Sequence, residues 1–175
     1  MKIINARLRH QEALYTLELQ DGLINSITPQ AAAQAAETSD IDAQQKLVIP
    51  PFVEPHIHLD ATLTAGEPEW NMSGTLFEGI ARWSQRKESV TVEDTRQRAL
   101  KTIGMLRDNG VQHVRTHIDV TDPSLTALEA MLEVKKEAAH LIDLQIVAFP
   151  QEGIESFPGG RELMTRAIEM GADVV

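Results

Sequence analysis

Two histidines one residue apart, His56 and His58, are the side chains in this sequence best placed to bind a metal ion. They end an apolar run that begins at Leu47 and reads as a β-strand. Residues two apart on a strand point to the same side, with Cα atoms roughly 6.6 Å apart. Two imidazoles so placed can converge on one zinc or ferrous ion, both of which accept imidazole nitrogen. The alternative is that both histidines lie on the surface and bind nothing.

A second alternating polar pair, His117 and Asp119, follows on a later predicted strand. Such residues either orient a ligand histidine or the substrate, or form a polar layer or an ion pair that only supports the fold. His10 and His140 are predicted to lie at the surface, in a loop and near a helix end. Trp83 is predicted to be a packing or interface residue.

The composition excludes several classes of protein. The 175 residues carry 16 Lys and Arg against 26 Asp and Glu, a net charge of −10, and include no cysteine. The negative charge argues against binding to nucleic acid or to an anionic membrane. The absence of cysteine excludes disulfides, thiolate metal sites and the small zinc deaminases that bind zinc with a Pro-Cys-x-x-Cys pair. No apolar run approaches the roughly 20 residues that span a bilayer, and the first residues lack a signal-peptide pattern. We therefore expect a cytoplasmic protein.

Residues 1–46 are predicted to form a small N-terminal β domain of the sandwich type. Apolar and polar residues alternate on the N-terminal side of Asp21-Gly22, and a second β run follows it. Asp-Gly between two such runs is typical of a type I′ hairpin turn, in which both central residues need positive φ. The polar, alanine-rich residues 29–45 are predicted to be a surface excursion.

From Leu47 onward, strand patterns alternate with helix patterns, which is typical of a parallel sheet covered by helices. Thr91, with Asp94 three residues later, resembles a capping box, so a helix is predicted to begin there and to end at Asn109-Gly110. The remaining predicted elements are a strand over 111–120, a helix from Pro123, a strand over 141–149, a helix over 161–170 and a strand from 172.

Residues 47–175 are therefore predicted to be the first part of a TIM-type (β/α)8 barrel, an α/β fold, with about three βα units and the start of a fourth strand. The chain stops inside an apolar strand, which would leave an unpaired sheet edge. We therefore expect the chain to be an N-terminal fragment. In such a barrel the active site lies at the carboxyl ends of the strands, which is where His56 and His58 fall.

Four segments together resemble the bacterial cytosine deaminases of the metal-dependent amidohydrolase superfamily. In that superfamily a small β domain precedes a barrel whose first strand ends in His-x-His. The segments are 47–60, which contains the histidine pair, and 74–79, 112–120 and 143–153. The resemblance covers the chain from about Ile3 to Val175.

The resemblance implies that His56 and His58 are the first two ligands of one divalent metal ion, Fe(II) or Zn(II). It implies that the side-chain amide of Gln151 binds the pyrimidine ring, to which it offers a donor and an acceptor. It also implies that Leu76 lies near the bound base. The other metal ligands and the proton-shuttling glutamate are expected beyond Val175, so no catalytic acid or base is assigned within the chain.

The activity implied by the resemblance is hydrolysis of cytosine to uracil and ammonia, in pyrimidine salvage. The substrate is then a small molecule, and the full-length protein is expected to be a homo-oligomer with no nucleic-acid or membrane partner. Two alternatives stay open. One is an amidohydrolase that acts on another cyclic amidine, such as isoguanine or creatinine. The other is a non-catalytic fragment or assembly module that is inactive on its own.

Overall fold

The computed structural model describes residues 1–175, which form two compact units, Met1–Pro50 and Pro51–Val175. The division inferred from the sequence, into domains 1–46 and 47–175, stays a prediction. None of the helices is both long and apolar enough to cross a membrane.

The first unit is built on a four-stranded sheet in the order β3-β2-β1-β4. Its strands are β1 (Lys2–Arg7), β2 (Leu14–Gln20), β3 (Leu23–Gln30) and β4 (Ile41–Asp42). β2 pairs antiparallel with β1 and with β3, whereas β4 runs parallel to β1. The predicted N-terminal β unit is therefore present as a single small sheet.

The predicted hairpin between β2 and β3 is confirmed. Asp21 and Gly22 have φ angles of 52° and 76°, and the strands they join pair from Gln20 and Leu23 outward. Two successive positive φ angles are what a type I′ turn requires, and they match the right-handed twist of the strands.

The predicted surface excursion over 29–45 is wrong at both ends. β3 continues to Gln30, and the short strand β4 lies inside the range. Gln30 is buried because its side-chain oxygen accepts a hydrogen bond from the backbone N–H of Asn5, at 2.9 Å. Asn5 has a φ of 55°, and its side-chain amide also reaches Asp42 at 2.9 Å. These long-range hydrogen bonds satisfy polar groups that read as exposed in the sequence.

The second unit is a mixed α/β structure around a three-stranded parallel sheet in the order β5-β6-β7. This agrees with the predicted α/β class, while the closed barrel is not part of the structure. Its elements are β5 (Phe52–Ile57), α1 (Leu76–Lys87), α2 (Val92–Asp108), β6 (Val111–Asp119), α3 (Thr126–Glu137), a 3-10 turn (Ala138–His140), β7 (Asp143–Phe149) and α4 (Gly160–Met170).

The core of this unit lies between the sheet and helices α2, α3 and α4. Ile103 of α2, Leu128 and Met131 of α3 and Ile118 of β6 are all fully buried. Along β6 the even-numbered residues from Val114 to Ile118 enter this core, so the odd-numbered residues point to the other face. Residue alternation thus divides β6 into a packing face and a face available for chemistry.

The predicted start and end of α2 are confirmed. The Thr91 hydroxyl accepts a hydrogen bond from the Asp94 N–H at 3.1 Å, which satisfies one of the free donors of the first turn. Asn109 follows the last helical residue, and Gly110 has a φ of 83°. Glycine takes this left-handed conformation without the steric cost that a Cβ brings, so the helix ends there.

Three other elements differ from the predictions. Helix α1 was not predicted. Helix α3 begins at Thr126 rather than at Pro123, because the Asp122 carboxylate accepts hydrogen bonds from the Ser124 and Thr126 N–H groups and holds a turn before the helix. The predicted strand from 172 is reduced to one parallel bridge between Val147 and Val174.

Candidate metal centre

The two predicted metal ligands converge at the carboxyl end of β5. His56 lies in the strand and His58 directly follows it, and their Nε2 atoms are 3.4 Å apart. Two nitrogens at this separation, each about 2.0–2.1 Å from one zinc ion, subtend an angle of roughly 110°, which is close to tetrahedral. The pair therefore has the spacing that two ligands of one metal ion need. Their role as ligands stays a prediction.

A third histidine, His117, lies beside this pair. Its ring stacks on that of His56, with ring centroids 4.0 Å apart and an angle of 18° between the planes. The Nδ1 atom of His117 is buried and has no hydrogen-bond partner. No group of three His, Asp or Glu side chains in residues 1–175 is arranged to hold a metal ion. The third imidazole thus packs against a predicted ligand instead of completing a ligand set.

The surroundings favour the neutral form of two of these rings. Burial lowers the pKa of His58, and the neighbouring charge of His56 lowers it further. Burial lowers the pKa of His117, with added repulsion from His56, His58 and Arg115. Neutral imidazole is the form that binds a metal ion, because the bonding lone pair is otherwise protonated.

Phe149, the last residue of β7, closes one side of the histidine cluster. Its ring centroid is 5.3 Å from that of His58 and 6.0 Å from that of His117, and it meets both rings edge to face. This is a preferred arrangement for aromatic pairs. The Phe149 ring therefore covers one side of both imidazoles.

Asp60, two residues after His58, is fully buried. One carboxylate oxygen accepts a hydrogen bond from the Asp119 N–H at 2.9 Å, and the other has no partner. Burial raises the pKa of Asp60 to about 7, with a further contribution from the charge of Asp119, against the opposing effect of the backbone hydrogen bonds. Sequence reasoning missed this group, because no local pattern marks Asp60 as buried.

Asp119, at the end of β6, is engaged with helix α1. One oxygen accepts hydrogen bonds from the Trp83 indole N–H at 3.0 Å and from the Lys87 ammonium at 3.2 Å. The other accepts the Thr121 N–H at 2.8 Å. Of the two possibilities for Asp119, the structure favours the ion pair. Trp83, expected only to pack, is a hydrogen-bond donor in this cluster.

Of the two predicted substrate-binding residues, Gln151 follows β7 at the carboxyl end of the sheet, and Leu76 begins helix α1. Gln151 is the second residue after β7, is half-buried, and donates its backbone N–H to the Phe149 carbonyl at 3.1 Å. Leu76 is the first residue of α1 and is 74% exposed. Neither side chain forms a hydrogen bond with His56 or His58, so their roles stay predictions.

A cavity of about 530 Å³ opens at the amino ends of the three strands, and none of His56, His58 and His117 lines it. Its charged side chains are already neutralised or hydrogen-bonded within the chain. The contacts are His113–Asp143 at 2.9 Å, Lys135–Asp173 at 2.5 Å and Arg115–Gln145 at 2.6 Å. Since ligands of parallel α/β folds bind at the carboxyl ends of the strands, the histidine end is the better candidate for the functional site.

Comparison with known proteins finds both near and distant relatives of this chain. Structures of 5-methylcytosine deaminase from Klebsiella pneumoniae, with phosphonocytosine or 5-fluorocytosine bound, are 82% identical to it with TM-scores of 0.96 and 0.97. Each is matched over 99% of this chain and 43% or 42% of its own. The predicted resemblance to cytosine deaminases is thereby confirmed.

A more distant relative is the N-isopropylammelide isopropyl amidohydrolase of Pseudomonas sp. (strain ADP), 32% identical over 99% of this chain and 44% of that protein. The chain thus spans less than half the length of these relatives. A family model described as the amidohydrolase family matches residues 40–175. The chain belongs to the amidohydrolase family.

Proposed function

We propose that the full-length protein is a metal-dependent deaminase that acts on cytosine or 5-methylcytosine. Water replaces the exocyclic amine on the ring, so that cytosine gives uracil and ammonia and 5-methylcytosine gives thymine and ammonia. The observation that carries the proposal is the 3.4 Å approach of the His56 and His58 Nε2 atoms, in a chain 82% identical to a 5-methylcytosine deaminase.

His56 and His58 would hold the metal ion. Zn(II) and Fe(II) both suit imidazole nitrogen, and either, when bound, supplies a water molecule of lowered pKa. The lowered pKa of His58 keeps its ring in the neutral form that a metal needs, and the Phe149 ring packs edge to face against it. His117, stacked on His56, limits the rotation of that ring.

Gln151 and Leu76 would orient the base. A side-chain amide offers one donor face and one acceptor face, and the edge of cytosine presents acceptors beside a donor. Gln151 follows β7 at the carboxyl end of the sheet, which suits this role. Leu76, exposed at the start of α1, would cover the apolar face of the ring.

Residues 1–175 would form only part of the fold and of the site of the full-length protein. Residues 47–175 would supply the first strands of a (β/α)8 barrel and residues 1–46 most of a small β domain. The remaining metal ligands and the glutamate that moves the proton would lie beyond Val175. The protein would work as a homo-oligomer in the cytoplasm, with a small-molecule substrate and neither nucleic acid nor membrane as a partner.

Release of ammonia tests the substrate. The full-length protein, loaded with Zn(II) or Fe(II), is offered cytosine, 5-methylcytosine, isoguanine and creatinine in parallel. We expect kcat/KM for one of the two cytosines to exceed that for the other compounds at least 100-fold. Turnover of isoguanine or creatinine without turnover of either cytosine would keep the enzyme class and reject the substrate.

A Gln151→Glu variant tests the orientation of the base. A carboxylate only accepts hydrogen bonds, so the variant loses the donor that the ring requires. We expect kcat/KM for the preferred cytosine to fall at least 100-fold, with the metal content unchanged. The control is Gln112→Glu, at an exposed position near the amino end of β6, which should behave as the unmodified protein. An equal loss in both variants would contradict the assignment of Gln151.

A further inference from the structure

Helix α1 is attached to the rest of its unit in an unusual way. It contains no fully buried residue, whereas α2, α3 and α4 each bury at least four. Its contacts with the ends of the strands are instead made by polar groups of Trp83, Ser84 and Lys87, which share one face of the helix. Hydrogen bonds and ion pairs depend on direction and distance, so they fix the position of α1 more narrowly than apolar contact would.

Lys87, the last residue of α1, is the centre of these contacts. Its ammonium is 2.5 Å from a Glu152 oxygen and 3.2 Å from an Asp119 oxygen, and it is 2.9 Å from the Thr121 carbonyl. The side chain is only 13% exposed, and that of Asp119 only 3%. Removing the ammonium would leave Asp119 buried without a counter-charge, which is a costly state.

The partners of Lys87 belong to two different parts of the site. Asp119 ends β6, two residues after His117, and Glu152 is next to Gln151 in the turn after β7. The helix that Lys87 ends begins at Leu76. The Lys87 ammonium therefore connects α1, which begins at the predicted substrate contact Leu76, to the turn that contains Gln151, the other predicted contact.

Because α1 is long, a small tilt of the helix at Lys87 displaces Leu76 at its other end. From Lys87 to Leu76 the helix rises roughly 17 Å, so a tilt of about 5° at one end moves the other by about 1.5 Å. A displacement of ~1 Å at a substrate contact is enough to cost on the order of 100-fold in rate. Loss of the ammonium would disturb the substrate site without touching the histidines.

We propose that Lys87 is a positioning residue that holds α1 against Asp119 and Glu152 and so sets the distance between Leu76 and Gln151 across the bound base. This inference rests on the proposed function. Lys87 itself touches neither the substrate nor a predicted metal ligand.

The test uses the full-length, metal-loaded protein. Lys87→Met removes the charge and keeps the length of the side chain, and Lys87→Arg keeps the charge. The control is Arg82→Met on the same helix, because Arg82 contacts Glu78, Glu69 and Gln85 and does not reach the strand ends. We expect Lys87→Met to raise KM for the preferred cytosine at least tenfold with unchanged metal per chain. Lys87→Arg should recover most of this loss, and Arg82→Met should stay within twofold of the unmodified protein.

A second comparison tests the coupling to the turn. Adding Glu152→Gln to Lys87→Met should cause no further rise in KM, since the partner of Glu152 is already gone. An unchanged KM in Lys87→Met would overturn the proposal, and so would a lower melting temperature with KM unaltered, because that result would make the contact purely structural.

The attachment of α1 can also be measured without any enzymatic activity. If the unmodified protein released no ammonia from either cytosine, hydrogen exchange of the α1 amides would still report on the attachment of the helix. Faster exchange in Lys87→Met than in Arg82→Met would support the fastening of α1 by Lys87. Equal exchange in the two variants would refute it.

Discussion

The imidazoles of His56 and His58 meet because both positions face one side of β5 and its end. That much could be predicted from the spacing alone. The stacking of His117 on His56 could not, because it depends on the parallel register that sets β6 beside β5, and 60 positions separate the two histidines in the chain. The same holds for Asp60 and Lys87, whose burial has no local signal in the sequence. Asp119 was singled out only as half of an alternating pair with two possible roles.

The buried carboxyl of Asp60 should make stability depend on pH. Its pKa is about 7 in the folded chain and 3.8 as a reference, so between these values the folded state holds a proton that the unfolded chain has released. The contribution of Asp60 to the free energy of unfolding therefore falls as the pH rises from about 4 to about 7, by a few kcal/mol at most. His58 and His117, whose pKa values are lowered from 6.5, contribute a rise at pH below 6.5. Asp94 and Asp173 have lowered pKa values, so their contributions are lost only at pH below this window.

Urea unfolding of the metal-free full-length protein at pH 4.5, 5.5, 6.5 and 7.5 measures this dependence. Asp60→Asn cannot ionise, so its unfolding free energy should fall less, or rise more, across that range than that of the unmodified protein. Asp108→Asn, at an exposed carboxylate, should show the same pH dependence as the unmodified protein. A variant at position 60 that keeps the full slope would show that another group causes it.

At the scale of elements, local signals decided which predictions succeeded. The β2–β3 hairpin and both ends of α2 were predicted correctly because each depends on one or two residues at the position itself. Asp21-Gly22 forms the hairpin turn, Thr91 caps the start of α2, and Gly110 follows its end. Helix α1 was missed although its sequence carries helix signals: Thr75 caps its first turn, and Leu76, Ile80 and Trp83 recur at helical spacing. The start of α3 was misplaced because Asp122 caps a turn that proline alone does not reveal.

The packing of α2 supplies a prediction at this scale. Ile103 is fully buried in the core, whereas Met105, two residues further along the helix, is 53% exposed. Ile103→Ala should lower the unfolding free energy by about 2–5 kcal/mol, since it leaves a cavity among α2, α3 and the sheet. Met105→Ala should change it by less than about 0.5 kcal/mol. Urea unfolding of the full-length variants measures both, and similar values would contradict the core described for this unit.

At the scale of the whole molecule, we propose that residues 1–175 supply part of a metal site. Residues 1–175 bring two imidazoles together, and a catalytic zinc site commonly has three protein ligands. The known relatives are more than twice as long as this chain. The further ligands and the proton-moving glutamate are thus proposed to come from the rest of the protein.

Residues 1–175 expressed alone should therefore bind Zn(II) at least 100-fold more weakly than the full-length protein and should release no ammonia from cytosine. Competition with a chromophoric chelator measures the affinity in both proteins. Equal affinity would mean that the metal site is complete within these residues, which would contradict the division of the site proposed above.

The most direct test of the account is metal-dependent ammonia release by the full-length protein with and without His56. The protein is stripped with a chelator, reloaded with Fe(II) or Zn(II), and assayed on cytosine and 5-methylcytosine beside His56→Ala and the surface control His140→Ala. We predict that turnover is lost on chelation, returns on reloading, is absent in His56→Ala and is normal in His140→Ala. Full turnover by His56→Ala, or by the stripped protein, would contradict the central claim that His56 and His58 hold the catalytic metal.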